Sequence, residues 1–345
     1  EVASIQASGF NHKKISAICA IHPICVMKIL MITDNDPAGM AIAFANAINR
    51  YTEHTCRLIT TSEKYGFEYE KDIHLPDIED DEFGEVEHLL KDADIIHFHV
   101  LRDENSHLGP LVIRDYIGGK KILHHHHGHP DYILNKDAYN EKYRKLGRKV
   151  IVSTPDLLKV AENATWIPNL VPLRDVQFMP RYDSSLPQEP IRICQSPTRK
   201  FDKHTKEYRA VLEGLETKYG NRIQSLIIEK RPYFECLALK RKCHIVFDHM
   251  RGWFGIASLE SLSHGKPVIA GLDEWNIRCI REFTGEAKLP WVVARNEVEL
   301  REELDYLIMD KELRQEAGLF SRLFMERFWN EQKVLELLLG VYESL

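Results

Sequence analysis

The sequence predicts an α/β protein built from two parallel-sheet domains in series, with a cleft between them. Three observations carry this. Short apolar, β-branched runs alternate with stretches of helical spacing from Met27 onward, the pattern of parallel strands with helices on both faces. One stretch spells out a complete unit. Residues 243–250 read as a buried strand, Gly252 and Gly255 break it, and residues 255–264 space Ile256, Leu259 and Leu262 along one helix side. Gly265 and Pro267 then end the helix, and residues 267–272 form a second buried strand. Finally, residues 171–190 set Pro172, Pro180, Pro187 and Pro190 in a polar segment without periodicity, as an interdomain connection does. At 345 residues the chain is long for one domain.

The elements follow in order. Residues 27–33 are a strand, and residues 41–50 the helix after it, with Gly39 at the helix start, where the backbone can approach a ligand closely. Asp34 and Asp36 between them could hold a metal ion, but Asp-Asn-Asp-Pro is also turn and cap chemistry. Residues 56–60 are a strand. Residues 63–87 are acidic and irregular and receive no function. A helix over 85–93 leads to a strand over 94–100, whose alternation puts His97 and His99 on one face. Residues 108–117 are expected to be helical. Residues 120–130 are a strand running into a histidine-rich loop, followed by a polar helix over 135–147. Residues 149–154, 155–163 and 165–170 read as strand, helix and strand.

Residues 191–196 restart the pattern. A helix over 205–219, a strand over 223–229 and a helix over 233–242 lead into the unit already described. A helix over 275–283, a strand over 289–294 and a helical end over 297–345 complete the chain. The expected organisation is a tail over 1–26, a first domain over 27–172 and a linker over 173–190. A second domain over 191–328 and a terminal helix over 329–345 follow.

Composition excludes several classes. A formal charge of -6 gives no bulk attraction to nucleic acid or anionic membrane. Seven cysteines without a C-x-x-C pair suit reduced thiols in a cytoplasmic protein, with peripheral membrane contact left open. No 20-residue apolar span is present; residues 15–33 contain His22, Pro23 and Lys28. There is no Walker A motif, G-x-G-x-x-G or G-x-S-x-G, so triphosphate hydrolysis, dinucleotide redox chemistry and serine hydrolysis lose their main support.

The helix starting at Gly255 and Ile256 has chemical meaning. A helix N-terminus carries unpaired N–H groups and partial positive charge, and so attracts phosphate. Glu260 lies about 7.5 Å further along the axis, and its side chain leans back toward the start. A diphosphate on the helix start would bring an attached ribose to this carboxylate.

The run F-G-x-x-x-x-E followed by S-L-S-H-G-K-P-V-I-A resembles the donor-site signature of the retaining GT-B glycosyltransferases that carry E-x7-E. Glu260 matches the second Glu; Gly252 stands where the first would be. The resemblance implies two Rossmann-like domains, donor bound mainly by the second and acceptor by the first. It also implies a terminal helix that often crosses back. Ser196 to Thr205 is similar to the segment in which an Arg and a Lys clamp the donor diphosphate, which gives Arg199 and Lys203 those roles. Fixed cations there would stabilise the departing diphosphate without a metal. His127 matches the family histidine, at the end of a strand, that contacts the transferred sugar.

A second pattern competes at the same place. His127-Gly-His129-Pro-Asp131 matches the H-x-H-x-D of a zinc hydrolase family, though Tyr132 follows instead of His. Neighbouring histidines on a strand face opposite sides, so the four from His124 to His127 cannot share one ion. The expectation is therefore a glycosyltransferase moving a sugar from a nucleoside diphosphate to a glycan, lipid or small-molecule acceptor, with no cofactor, no metal and no nucleic-acid partner. Alternatives are a sugar-nucleotide epimerase, an inactive nucleotide-sugar binder and a zinc hydrolase.

Overall fold

The computed structural model describes residues 26–36, 38–64, 66–79, 82–201 and 203–345; the tail expected over 1–26 lies outside these but for its last residue. The first half builds strands β1 (Lys28–Thr33), β2 (Thr55–Thr60), β3 (Ile73–His74) and β4 (Ile95–His99). A two-residue pair, β5 (His107–Leu108) and β6 (Leu111–Val112), precedes β7 (Lys121–His126), β8 (Lys149–Val152) and β9 (Thr165–Trp166). Apart from the β5–β6 hairpin, they form one parallel sheet in the order β3-β2-β1-β4-β7-β8-β9. The second half builds β10 (Ile191–Gln195), β11 (Ile223–Ile227), β12 (Ile245–Phe247), β13 (Val268–Ala270) and β14 (Trp291–Val293). These form a parallel sheet in the order β11-β10-β12-β13-β14.

Helices α1 (Met40–Tyr51), α2 (Phe83–Asp92), α3 (Pro130–Leu134) and α4 (Lys136–Leu146) belong to the first sheet. The second half carries α5 (Thr205–Tyr219), α6 (Tyr233–Arg241), α7 (Ile256–Ser263), α8 (Glu274–Thr284), α9 (Glu297–Met309), α10 (Lys311–Phe328) and α11 (Glu331–Glu343). Strands covered on both faces must be apolar nearly throughout, and β1 is, with its last five residues buried.

The helix expected over 108–117 is instead the β5–β6 hairpin and a short 3-10 turn over Ile113–Tyr116. Gly109, at φ +58, turns the chain there, and Pro110 has no N–H to give a helix. The helix expected over 155–163 shortens to a 3-10 turn over Pro155–Lys159.

Strand order reverses beside β1 in one sheet and beside β10 in the other. At such a point successive loops leave in opposite directions, and a crevice opens outside the carboxyl ends of the strands. Gly39 of the first half and Ile256 and Glu260 of the second line one cavity between them. One continuous core joins the halves, from Ile29 and Ile95 through Trp329 to Phe254 and Val268. Trp329 is fully buried and its indole N–H donates to the Asn169 carbonyl at 2.9 Å. Buried Arg322 donates to the carbonyls of Leu173 and Phe178, fixing the proline-rich connection to the second half. Helix α11 returns to the first half, packs on α1, and places the Tyr342 hydroxyl 2.7 Å from His97 Nδ1.

Candidate donor site

At the reversal point of the second sheet, the loops after β10 and β12 meet. Buried Gln195, the last residue of β10, holds them together: its amide donates to the carbonyls of Lys203 (2.6 Å) and Asp248 (3.0 Å). The Lys203 ammonium lies 2.5 Å from Asp248 Oδ1 and 5.3 Å from the centre of the Trp253 ring. Asp248 Oδ2 accepts the Gly255 N–H (2.6 Å) and the Ser258 hydroxyl (2.8 Å). Burial opposes ionisation of Asp248. The Lys203 charge, His249 and the Gly255 N–H outweigh it and hold the carboxyl well below its usual range.

The result is a Lys203–Asp248 ion pair fixed at the start of α7. A Cβ on Gly255 would stand 2.7 Å from the Lys203 Nζ, so glycine makes room for the ammonium. Gly255 itself is extended, at φ -97 and ψ 172. The N–H groups of Ile256 and Ala257, in the first turn, have no carbonyl partner within the helix. Ile256 is partly exposed on the cleft side.

Glu260 is 2% exposed and lines the cleft. The Tyr233 hydroxyl donates to its Oε1 at 2.7 Å, and the Lys240 ammonium pairs with its Oε2. Both charges of this pair are buried, and the Glu260 charge raises the basicity of Lys240 against the effect of burial.

Arg199 is exposed, in the same loop as Lys203. Its charge reaches His129 of the first half: burial lowers the basicity of His129, Lys64 and Arg199 act in the same direction, and Asp131 and Asp34 oppose them. The loop after β7 therefore faces the loop after β10 across the cleft. His127 is half-buried in that loop, with Nε2 3.0 Å from His99 Nδ1, and burial lowers its pKa to about 4. His129 caps α3 by accepting the Asp131 N–H at Nδ1, 3.2 Å away.

On the opposite wall, Gly39 has φ +62 and Tyr69 packs 3.4 Å from where its Cβ would be. The α1 start is satisfied by Asp36, whose carboxylate accepts from Met40 N (2.8 Å) and Ile42 N (2.9 Å). Asp34 pairs with Arg102 at 2.5 Å. The two aspartates thus serve separate partners, a helix start and a guanidinium.

Phe67 and Tyr69, in the stretch to which the sequence assigns no function, reach across the cleft. The Tyr233 N–H donates to the Phe67 carbonyl at 2.7 Å, and the Tyr69 and Tyr233 rings lie 4.6 Å apart. Behind this clasp is a cavity of about 80 Å³ lined by Gly39, Asn46, Tyr69, Tyr233, Ile256 and Glu260. Ligand pockets are commonly ~300–1,000 Å³, so this cavity is smaller than a typical ligand site while the clasp is shut.

Gly252 adopts φ +89, and a Cβ there would lie 3.4 Å from Asp273 Oδ2. The backbone favours glycine, and a carboxylate already stands beside this position, supplied from the start of α8. Asp273 also accepts from Asn276 N (2.8 Å), and Lys159 of the first half lies 3.4 Å from it. Sequence reasoning did not single out Asp248, Gln195, Tyr233, Lys240 or Asp273. Only Asp248 left a signal, an acidic residue between a buried strand and a glycine turn.

No family model matches the chain, and no curated protein matches it. Solved structures do. Anabaena Alr3699/HepE, in complex with UDP and glucose, superposes with TM-score 0.58 at 13% identity, covering 92% of this chain and 100% of that one. An alpha-glucosyltransferase in complex with UDP and a mismatched DNA 13-mer gives 0.61 at 13%, over 91% and 99%. The UDP-GlcNAc 2-epimerase of Neisseria meningitidis bound to UDP-GlcNAc gives 0.50 at 14%, over 92% and 100%. At these identities the likeness establishes the fold: two Rossmann-like domains in the arrangement of GT-B glycosyltransferases.

Proposed function

We propose that this chain transfers a hexosyl group from a nucleoside-diphosphate sugar to a glycan, lipid or small-molecule hydroxyl, with retention of configuration. The observation that carries the reading is the Lys203 ammonium held by Asp248 at the start of α7, within the fold of nucleotide-sugar enzymes. Departure of a nucleoside diphosphate builds negative charge. Lys203, turned from Asp248 toward the leaving group, and the helix N–H groups stabilise that charge, which supports a metal-independent transfer.

In this reading the diphosphate settles against Ile256 and Ala257, and Lys203 turns toward it. Arg199 closes from the same loop as the cleft shuts. Glu260 accepts from the ribose hydroxyls, which replace the Tyr233 hydroxyl, while Lys240 keeps the carboxylate charged. His127 donates a hydrogen bond to the transferred sugar. Its low basicity suits donation more than proton abstraction. Asp273 supplies the carboxylate that the GT-B resemblance expects from position 252. Gly39 lines the acceptor side once Tyr69 moves, and closure around both substrates excludes water.

The test is release of nucleoside diphosphate from a panel of nucleotide sugars, with and without candidate acceptors. Acceptor-dependent release supports transfer. Conversion of the donor to an epimer without acceptor supports the second reading, favoured by the likeness to the epimerase. Absence of any binding or turnover across uridine, guanosine, adenosine and thymidine donors would overturn both.

A further inference from the structure

Strands β4 and β7 are neighbours, with His99 opposite His125 in register. Residues two apart on a strand share a face, so His97, His99, His125 and His127 stand on one side of the sheet and His124 and His126 on the other. In the second set His126 stacks on Tyr132 and its Nε2 lies 2.9 Å from the Tyr143 hydroxyl, while His124 Nε2 lies 3.5 Å from the Glu104 carboxylate; His126 Nδ1 alone is left with no polar contact. The first set is left with more. His97, His99 and His125 are at most 1% exposed. His97 Nε2, His99 Nε2 and both ring nitrogens of His125 find no hydrogen-bond partner among the described residues. Buried polar atoms left this way are rare and call for an occupant.

One nitrogen from each of the three rings lies within 4.8 Å of the others. The outer bonds allow the tautomers that metal binding needs. His97 Nδ1 meets the Tyr342 hydroxyl at 2.7 Å and His99 Nδ1 meets His127 Nε2 at 3.0 Å. With each Nδ1 donating, the two Nε2 lone pairs are left for a shared ligand, and such outer bonds orient metal-bound imidazoles. We infer that His97, His99 and His125 form a binding site for a divalent zinc-class ion, enclosed between β4, β7 and α11. Three imidazoles and a water suit zinc, once the stacked rings of His97, His99 and His125, with His97 centred 4.2 Å from His99 and 5.4 Å from His125, turn their free nitrogens toward a shared point. This set differs from His127, His129 and Asp131, whose spacing matched the zinc hydrolases: His129 is spent on capping α3. The site lies within the first sheet, and through Tyr342 the ion would fasten α11 to it.

The experiment is metal analysis of the full chain, followed by Zn²⁺ and Co²⁺ titration of chelator-treated protein. The expected result is one ion per chain, a four-coordinate cobalt spectrum and a higher Tm with zinc. His125→Leu should abolish the cobalt spectrum and the zinc-dependent gain in Tm. Tyr342→Phe, which keeps all three ligands, should weaken zinc binding about 10- to 100-fold. Failure of the wild type to bind either ion at micromolar concentration would overturn the inference. So would binding unchanged in His125→Leu, or a His125→Leu protein more stable than zinc-saturated wild type.

Discussion

The Lys203 ammonium and the Asp248 carboxylate meet 2.5 Å apart, and the same carboxylate accepts the N–H of Gly255, the residue that opens α7. One acidic side chain thus positions both a cation and a helix N-terminus. Gly255 permits this by lacking a Cβ, which would stand 2.7 Å from the ammonium.

Gly255→Ala should therefore test whether Lys203 belongs to the donor site. Its backbone is extended, where alanine is unstrained, but the new Cβ would strike the Lys203 Nζ and crowd the Asp248 carboxylate at 3.3 Å. Lys203 must swing away, which leaves buried Asp248 without its countercharge. The expected outcome is a lowered melting temperature, with nucleoside-diphosphate affinity of the folded protein reduced about 10- to 100-fold, the worth of one charge-assisted contact. Calorimetric titration checks it; unchanged affinity would remove Lys203 from the donor site.

Glu260 and Lys240 form a buried pair, so removing either partner strands a charge. Glu260→Gln or Lys240→Met alone should cost about 3–5 kcal/mol in urea unfolding. Lys240→Met combined with Glu260→Leu should cost less than the sum. Additive losses would show that the two groups do not depend on each other.

Much of the fold was legible because strands buried on both faces leave few polar residues to confuse the alternation. Positions 193 and 245–247, for instance, are all apolar and all buried. The chemistry was harder to read. Gly255 and Glu260 stand out together because the α7 start and its carboxylate lie on one short stretch, whereas Lys203 comes from the resemblance carried by residues 196–205. Lys240 does not stand out, since it meets Glu260 only when α6 packs on α7. The Tyr69 clasp was hidden inside a charge-rich segment whose composition suggests nothing but solvation. The hairpin at Gly109 defeated a helical spacing that three intervening turns of backbone would have had to honour.

Restoring the glutamate pattern should not improve the protein. Gly252→Glu places a side chain at φ +89, directly against Asp273. The expected cost is about 1–3 kcal/mol of stability, read by chemical denaturation. A variant as stable as wild type would show that the loop relaxes freely.

Lys266 offers a pH test. It is buried, donates to the Arg181 carbonyl, and burial pushes its pKa down to about 8. The unfolded chain holds its proton until about pH 10.4. Between these values the unfolded state binds more protons, so this group's contribution to stability rises with pH. Below pH 8 the group carries its full penalty, about 3 kcal/mol. Lys266→Met should therefore be relatively most stable at pH 7 and lose that advantage by pH 10. A pH-independent difference in unfolding free energy would contradict the shift.

The most direct test of the central claim is a thermal-shift panel of nucleotide sugars on wild type, Lys203→Ala and Arg199→Ala. At least one donor should raise the wild-type Tm by several degrees, Lys203→Ala should abolish the shift and Arg199→Ala should weaken it. A donor that stabilises all three proteins equally would place the diphosphate elsewhere and overturn the assignment of Lys203.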